Sequence, residues 1–591
     1  MKELLELNKY FLKYKFHLGW GIFFVVLANV FAVLPPVVIR TLLDTMYESI
    51  NYYHLLSNTK LSEDYTSLVI NVVISGGILL IAFAIIRGIF MFFMRQTIIV
   101  MSRHIEYEQK NEIFDHFQRL DTAYFKTHAT GDLMSRISED VSRVRMYTGP
   151  ALMYTINLLV LTGMSVWGMF RVSWELSLYA LFFLPLLAFS MIKINALINK
   201  KSSKIQAELG GLTAMAQESF SGIRVLKSYT QEQATQDAFE QASARYRASN
   251  ISLAKVEAMY SPLMGLFIGL SLIVTVLVGG LMVIRDEITV GNIAEFIIYI
   301  TMLTFPVSTL GWTSSIVQRA AASQKRINEF LQTEPNISFP AQGHKAELQG
   351  KISFQNVSFE YPHSNIKSLK NISLDILPGQ KVAILGRTGS GKSTLAHLLL
   401  RMYEPGEGQI LIDDVPINDW DIQSLRTQIS YVPQDVFLFS DTIKANIAFG
   451  LDATDEETVV HAARTAHIHN EISALKEQYH TMVGERGVML SGGQKQRISI
   501  ARALAKPHRL LIMDDSISAV DNTTEQHILH NLHSALQQQT VLIITHRIFK
   551  GWDFDQILVM EDGQITERGT HEVLMALKGY YYELYNYQTG A

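Results

Sequence analysis

A chain of 591 residues has room for about three to five domains, but 48% of it is hydrophobic and only 18% is charged, below the roughly 25% charged fraction of soluble domains. The shortfall lies in the first 320 residues, which excludes a soluble enzyme along the whole length, and the absence of Cys excludes disulfides, thiolate-bound metal and thiol catalysis. A net charge of -4, from 51 Lys and Arg against 55 Asp and Glu, gives no reason to expect nucleic acid as a partner.

At the N-terminus, Leu4, Leu7, Phe11 and Tyr14 share one face of an ideal α-helix, with Lys2, Lys9 and Lys13 elsewhere. That pattern predicts a short interfacial helix lying along the inner leaflet. Six apolar runs follow, each near the length of about 20 residues needed to cross a bilayer: Phe16–Ile39, Leu68–Met94, Ala151–Phe170, Leu176–Ile194, Leu263–Ile284 and Ile293–Val317. The first, third and fifth links are short. The second and fourth are long enough for paired helical extensions beyond the membrane. Seven Lys and Arg lie between Met101 and Arg145 and nine between Lys193 and Glu257, against Lys60 alone in Tyr47–Tyr65. Basic residues accumulate in cytoplasmic connections, so both long links and both termini are expected in the cytoplasm of a multi-pass cell-membrane protein. Pro35, Pro36, Pro185 and Pro306 fall in or near the ends of spans, where proline bends helices. Arg87 lies inside span two and is expected to face a cavity, a partner or the headgroups, since a central Arg costs roughly 2.5–3.5 kcal/mol on insertion scales. Trp20, Asn29, Tyr154, Asn157, Trp167, Tyr299 and Trp312 are candidates to line a pathway.

The transmembrane domain is thus expected over residues 1–330, and a polar linker with Pro335, Pro340 and Gly343 over 331–350. From residue 351 to 591, short β-branched runs alternate with helical patterns, as in an α/β domain. Within it, Gly386-Arg387-Thr388-Gly389-Ser390-Gly391-Lys392-Ser393 follows the apolar run Lys381–Leu385 and opens a helix at Thr394. This is a phosphate-binding loop in the setting it requires. Its glycines let successive N–H groups point at phosphate oxygens and the helix start adds positive potential. Lys392 reaches the terminal phosphates and Ser393 offers a hydroxyl to Mg²⁺. A second apolar run, Leu510–Met513, ends in Asp514-Asp515. Asp514 is expected at a strand end beside the loop, holding Mg²⁺, with Asp515 placed to polarise the attacking water.

Downstream of that loop, Leu490-Ser491-Gly492-Gly493-Gln494 resembles the signature motif of ATP-binding-cassette (ABC) proteins, and its distance before Asp514 is similar to the family's. Six spans followed by one such cassette resemble a half-size ABC exporter. The resemblance implies an all-α transmembrane domain with long intracellular extensions, then an α/β P-loop NTPase domain. It also implies roles for further residues. Tyr361 resembles the aromatic that stacks on adenine, and Gln434 in Tyr431-Val432-Pro433-Gln434 the glutamine that senses Mg²⁺ and contacts the membrane domain. Gly484-Glu485-Arg486-Gly487 resembles the loop that touches the intracellular helices, Ser518-Ala519-Val520-Asp521 the loop crossing to the opposite cassette, and His546 the histidine on the γ-phosphate. The segments around Thr122–Thr130 and Gly211–Gly222 resemble coupling helices.

In that family the signature turn serves the ATP held by a second cassette, so two ATP are sandwiched between two chains. The resemblance therefore implies ATP and Mg²⁺ as cofactors, a second half-transporter and the lipid bilayer as partners, and an amphipathic drug-like or lipid substrate. One residue departs from the pattern: the family's usual residue after the strand-end aspartate is Glu, and here it is Asp515. Losing a methylene draws the carboxylate back by about 1.5 Å, the length of a C–C bond, which predicts slow hydrolysis at this site. The same replacement resembles one chain of heterodimeric multidrug exporters, and a heterodimer is favoured over a homodimer with two slow sites. A membrane-anchored nucleotide switch and an importer on the exporter layout are the alternatives. Too little chain precedes span one for a peptidase-like segment, which argues against a processing peptide exporter.

Overall fold

The computed structural model describes residues 2–56, 61–337 and 342–589, except 363, 365, 452, 454, 485, 486, 488, 519, 550 and 551. Lys60 and Pro340, and the Glu485, Arg486 and Ala519 of two expected loops, lie outside the described residues. The chain divides into two compact units, Met1–Gln118 with Gly131–Thr333, and Arg119–Thr130 with Glu334–Ala591.

Six helical stretches among the described residues are long and apolar enough to cross a membrane, their apolar runs all in the first unit: Lys15–Ile50, Asp64–Arg119, Thr130–Val172, Trp174–Ser221, Glu232–Ile284 and Val290–Leu331. Each contains one expected apolar run. The second to fifth continue well past it, so the two long links are helical extensions, as their length requires. Exposed Ile78, Ile81, Ile85 and Ile89 on span two show why such helices need lipid or protein around them: their backbone polar groups are satisfied internally while their side chains are not soluble. The short third link is Ser173, whose hydroxyl accepts from Leu176 N at 3.3 Å and so caps the helix of span four. Thr289 and Asn292 form a capping box at the start of span six.

Pro35, Pro36 and Pro306 sit within unbroken helices. Span four instead breaks at Phe182, between Trp174–Leu181 and Phe183–Ser221. Pro185 has no N–H to give the Leu181 carbonyl, which ends the hydrogen-bond ladder there. Inside the bundle, Asn29 Nδ2 donates to Asn157 Oδ1 at 2.9 Å. Tyr299 is buried and its hydroxyl donates to Glu295 at 3.1 Å, while Arg40 pairs with the same carboxylate at 3.2 Å. Asn29 and Asn157 therefore tie two helices together, and Tyr299 supports the Glu295 that pairs with Arg40. Tyr154 meets the edge of Trp312 at 5.5 Å, whereas Trp20, Trp167 and Arg87 are exposed.

The N-terminal stripe differs from expectation in its phase. Leu4 and Leu7 are buried, but the next buried position is Tyr10, not Phe11 or Tyr14. Residues Lys2–Leu7 form a 3₁₀ helix, in which residues three apart eclipse. The stripe therefore advances by threes. Lys9 and Lys13 pair with Glu112 and Glu108 on the extension of span two, at 2.6 and 2.5 Å.

In the second unit, the described residues form two sheets. The first has the order β2-β1-β4-β5, from β1 (Ile352–Glu360), β2 (Lys367–Ile376), β4 (Glu407–Ile412) and β5 (Val415–Pro416), all antiparallel. The second has the order β10-β9-β3-β8-β7-β6. Its strands are β3 (Lys381–Gly386), β6 (Ile429–Val432), β7 (Leu510–Asp514), β8 (Thr540–Ile544), β9 (Gln556–Glu561) and β10 (Gln564–Gly569), parallel except for β10. Strands β3, β7 and β8 are buried along their whole length. That is why they read as continuous apolar runs and not as alternations. The expected linker is shorter than 331–350: helix runs to Leu331, and Leu348 is already buried in the core of the second unit. Ala123, from the span-two link, is buried in the same core. The Asp121 side chain caps helix Thr122–Thr127 and accepts from Asn336 N at 2.7 Å.

Candidate functional site

Strand order brings three C-terminal strand ends together, those of β3, β8 and β7. Ligand sites of open parallel sheets form outside such ends. The loop after β3 curls because Gly389 and Gly391 take φ of +84° and +94°. A Cβ on Gly391 would also stand 2.3 Å from the Ser368 carbonyl oxygen. Lys392 opens helix Lys392–Leu399 and folds back over the loop, donating to the carbonyls of Gly386 at 2.8 Å and Arg387 at 2.7 Å. Burial pulls its pKa below the usual lysine value, against the charges of Asp515 and Asp514.

Asp514 ends β7 and is 2% exposed. Its Oδ1 accepts from Ser393 Oγ at 2.9 Å. Burial pushes its pKa up and the Asp515 charge adds to this, while the Ser393 and Tyr431 hydroxyls and Lys392 oppose it. A buried carboxylate paired with a serine hydroxyl is an oxygen donor set that fits a hard divalent cation, whose charge would favour the ionised carboxylate. Asp515 has a left-handed φ of +45°, its N–H donates to Ile544 O at 2.8 Å, and its Oδ1 lies 2.9 Å from His546 Nδ1. Such backbone conformations cost about 1–3 kcal/mol and gather at functional sites.

Of the expected residues, Thr388, Gly389, Gly391, Lys392, Ser393, Thr394, Gln434, Asp514, Asp515 and His546 line one cavity of about 170 Å³. Ser368 and Ile544 complete the wall, and nothing in their local sequence marks them. Gly386 and Ser390 shape the loop without lining the cavity. Arg387 is turned away, its guanidinium 5.5 Å from the Tyr580 ring.

Tyr361 stands beside the cavity and not in its wall. Its hydroxyl lies 3.1 Å from Thr394 Oγ1 and 3.3 Å from His397 Nδ1. The Lys126 ammonium lies 5.5 Å from the centre of its ring. Burial, with the Lys126 charge adding, pushes His397 down to about 4. An unfolded His titrates near 6.5, so between these values the unfolded chain binds more protons. Stability from the neutral His397 is therefore whole above about pH 6.5 and is lost as pH falls toward 4, by roughly 3 kcal/mol at most. In melting curves of the full chain against pH, His397→Gln is expected to flatten that acid limb. An unchanged limb would show that His397 does not set it.

Ser491, Gly492, Gly493 and Gln494 line no part of this cavity. Ser491 is exposed and caps helix Gly492–Ala505 through a capping box with Gln494. Asp521 caps helix Asn522–Ala535, and Gly484 and Gly487 both take positive φ. Tyr431 enters the sequence reading only as part of the Gln434 motif, and no motif singles out His397. Position offers a signal for both, since Tyr431 pairs with Ile512 on the neighbouring strand and His397 lies one helical turn beyond Ser393.

Residues 18–307 match the family model of the ABC transporter transmembrane region, and residues 369–518 that of the ABC transporter. The chain is similar to the probable multidrug resistance ABC transporter ATP-binding/permease protein YheI of Bacillus subtilis, 38% identical over 482 residues that cover 81% of this chain and 82% of that one. It is also similar to the ATP-dependent lipid A-core flippase of Aromatoleum aromaticum, 35% identical over 493 residues, 83% of this chain and 81% of that one. Among solved structures, a bacterial Atm1-family ABC exporter with ATP bound aligns with a TM-score of 0.74 at 25% identity, covering 97% and 98% of the two chains.

Proposed function

The chain belongs to the ABC transporter family, and from that premise we propose that it is one half of an ATP-driven exporter that moves amphipathic compounds, drugs or lipids, across the cell membrane. One observation carries the reading. The phosphate loop, Asp514, Asp515, Gln434 and His546 converge on a single cavity in a chain with six helices able to span a bilayer. The multidrug and lipid A-core names of its relatives favour an amphipathic cargo.

The triphosphate of ATP is held by the N–H groups of the loop and by Lys392, which exchanges its bonds to the Gly386 and Arg387 carbonyls for phosphate oxygens. Asp514, Ser393 and Gln434 are the residues that would hold Mg²⁺, which when bound supplies charge neutralisation on the phosphates. Asp515 orients a water and takes its proton as the water attacks. His546, already hydrogen-bonded to Asp515, keeps that carboxylate aimed and meets the γ-phosphate. Tyr361 stacks on the base.

The exposed Ser491 turn, outside its own chain's cavity, is read as completing the ATP site of a second half-transporter. Two ATP then close two cassettes, and hydrolysis lets them part, a two-state element biased by its ligand. The segments Thr122–Thr130 and Gly211–Gly222 pass this change to the spans. Both termini and both long links face the cytoplasm, by their Lys and Arg content. A heterodimer fits best, with a Glu-bearing partner whose site this intact signature serves.

Transport in proteoliposomes separates this reading from its rivals. ATP outside inside-out vesicles is expected to drive a fluorescent amphipath or a labelled lipid inward. ATP binding with no movement of either would leave an anchored switch, and movement in the opposite sense would leave an importer.

A further inference from the structure

We propose that Glu471 is a positioning residue: it fixes the orientation of the Ser491 turn and so acts on the partner's ATP site, not on its own. The inference rests on the ATP-sandwich reading and adds to it a residue outside every motif discussed above. Glu471 lies in the short helix His469–Ser473. Its two carboxylate oxygens hold two residues of the signature helix one turn apart. Oε2 accepts from Gln494 Nε2 at 2.9 Å, and Oε1 accepts from Arg497 at 2.6 Å.

The consequence lies in the chemistry of the Gln494 amide. That amide can present either its oxygen or its NH₂ to Ser491, but an ionised carboxylate only accepts. Glu471 therefore claims the NH₂ and leaves the Gln494 oxygen facing Ser491, whose N–H donates to it at 2.9 Å. Gln494 N donates in turn to Ser491 Oγ at 3.3 Å. The hydroxyl and the free N–H groups of the turn are thereby held in one geometry before any phosphate arrives. Preorganised donors of this kind bind an anion without a reorganisation cost at the moment of contact.

Arg497 makes the clamp rigid. Its side chain is 10% exposed, and it donates to His467 O at 2.9 Å and to Gly493 O at 3.3 Å besides Glu471. Partial burial works to raise the Glu471 pKa, but the bonds from Arg497 and Gln494 outweigh it and hold the carboxyl below its ordinary value, so it stays an acceptor at neutral pH. None of Glu471, Ser491, Gln494 and Arg497 lines the cavity formed by this chain's own phosphate loop. An effect of Glu471 on nucleotide must therefore appear across the dimer.

The test uses purified full-length dimers in which this chain carries Lys392→Ala, so that the working ATP is the one on the partner's loop, completed by this chain's Ser491. Adding Glu471→Ala to the same chain is expected to lower kcat/KM for ATP by about 2- to 30-fold, the range that losing one helix-cap interaction carries. Glu471→Gln, isosteric and able to reverse its amide, is expected to fall between. ATP photolabelling of this chain's own loop, with Lys392 intact, is expected to be unchanged by either variant. Equal loss of labelling at the chain's own loop, or a matching fall in melting temperature for both variants, would reduce Glu471 to a fold-stabilising role and overturn the inference. No change with Glu471→Ala but a loss with Ser491→Arg would also overturn it while leaving the sandwich intact. No change with either variant would overturn the sandwich reading itself.

Discussion

Asp515→Glu is expected to raise ATP turnover at the site built by this chain's loop by about 10- to 100-fold. A general base must stand within about 2.6–3.2 Å of the proton it takes, or act through one water, and it is worth roughly 10²–10⁴ in rate. The backbone at Asp515 is fixed, with a left-handed φ of 45° and its N–H tied to Ile544 O at 2.8 Å. The carboxylate cannot advance by a shift of the main chain. Its reach is also used up on His546, 2.9 Å away. One more methylene, about 1.5 Å, lets the carboxylate extend past that contact toward the γ-phosphate. Steady-state ATPase of the purified chain, with ATP affinity measured alongside, is the check. An unchanged rate at unchanged affinity would mean that Asp515 does not limit hydrolysis.

Asp514→Asn is expected to do two things of opposite sign. The native carboxyl has a raised pKa because it is buried, so above the ordinary aspartate range the folded chain holds its proton more tightly than the unfolded one. Stability then falls as pH rises from the unfolded pKa through the folded one, and at neutral pH the nucleotide-free protein carries the cost of a buried carboxylate. The amide removes that cost, so the melting temperature without nucleotide is expected to rise. It also removes the charge that Mg²⁺ needs, so the further stabilisation by Mg-ATP is expected to disappear and hydrolysis to fall by at least about 100-fold. A variant that melts lower without nucleotide, or keeps its Mg-ATP shift, would contradict this account of Asp514.

What the sequence revealed depended on how local the signal was. Gly386–Ser393 and the Leu510–Asp515 run were legible because each motif sits whole on one strand end, and burial on both faces makes those strands read as uninterrupted apolar runs. The six spans were legible from length and apolarity alone. An α-helical period picks out Phe11 and Tyr14 where Tyr10 is the buried residue, because the stretch begins as a 3₁₀ helix. Lys126 over Tyr361 had no signal at all, since a contact between a transmembrane link and a distant cassette strand end is set by tertiary structure. Leu348 went unnoticed as core because its neighbours are polar. Asn29, Asn157 and Tyr299 are legible as polar groups within spans, but their partners lie on another helix or one turn away, and no local pattern names them.

The most direct measurement of the central claim uses a property of the chain itself: it contains no Cys. Ser491→Cys on this chain and a single Cys in the phosphate-binding loop of the second half-transporter, or Thr388→Cys where that partner is a second copy, place one thiol on each side of the proposed shared ATP. With ATP and Mg²⁺ under mild oxidant, the account predicts a disulfide between the two chains that forms far more slowly without nucleotide. ATP-loaded protein that yields no cross-link between chains, or joins the two thiols within one chain of the Thr388→Cys, Ser491→Cys double variant, would contradict it.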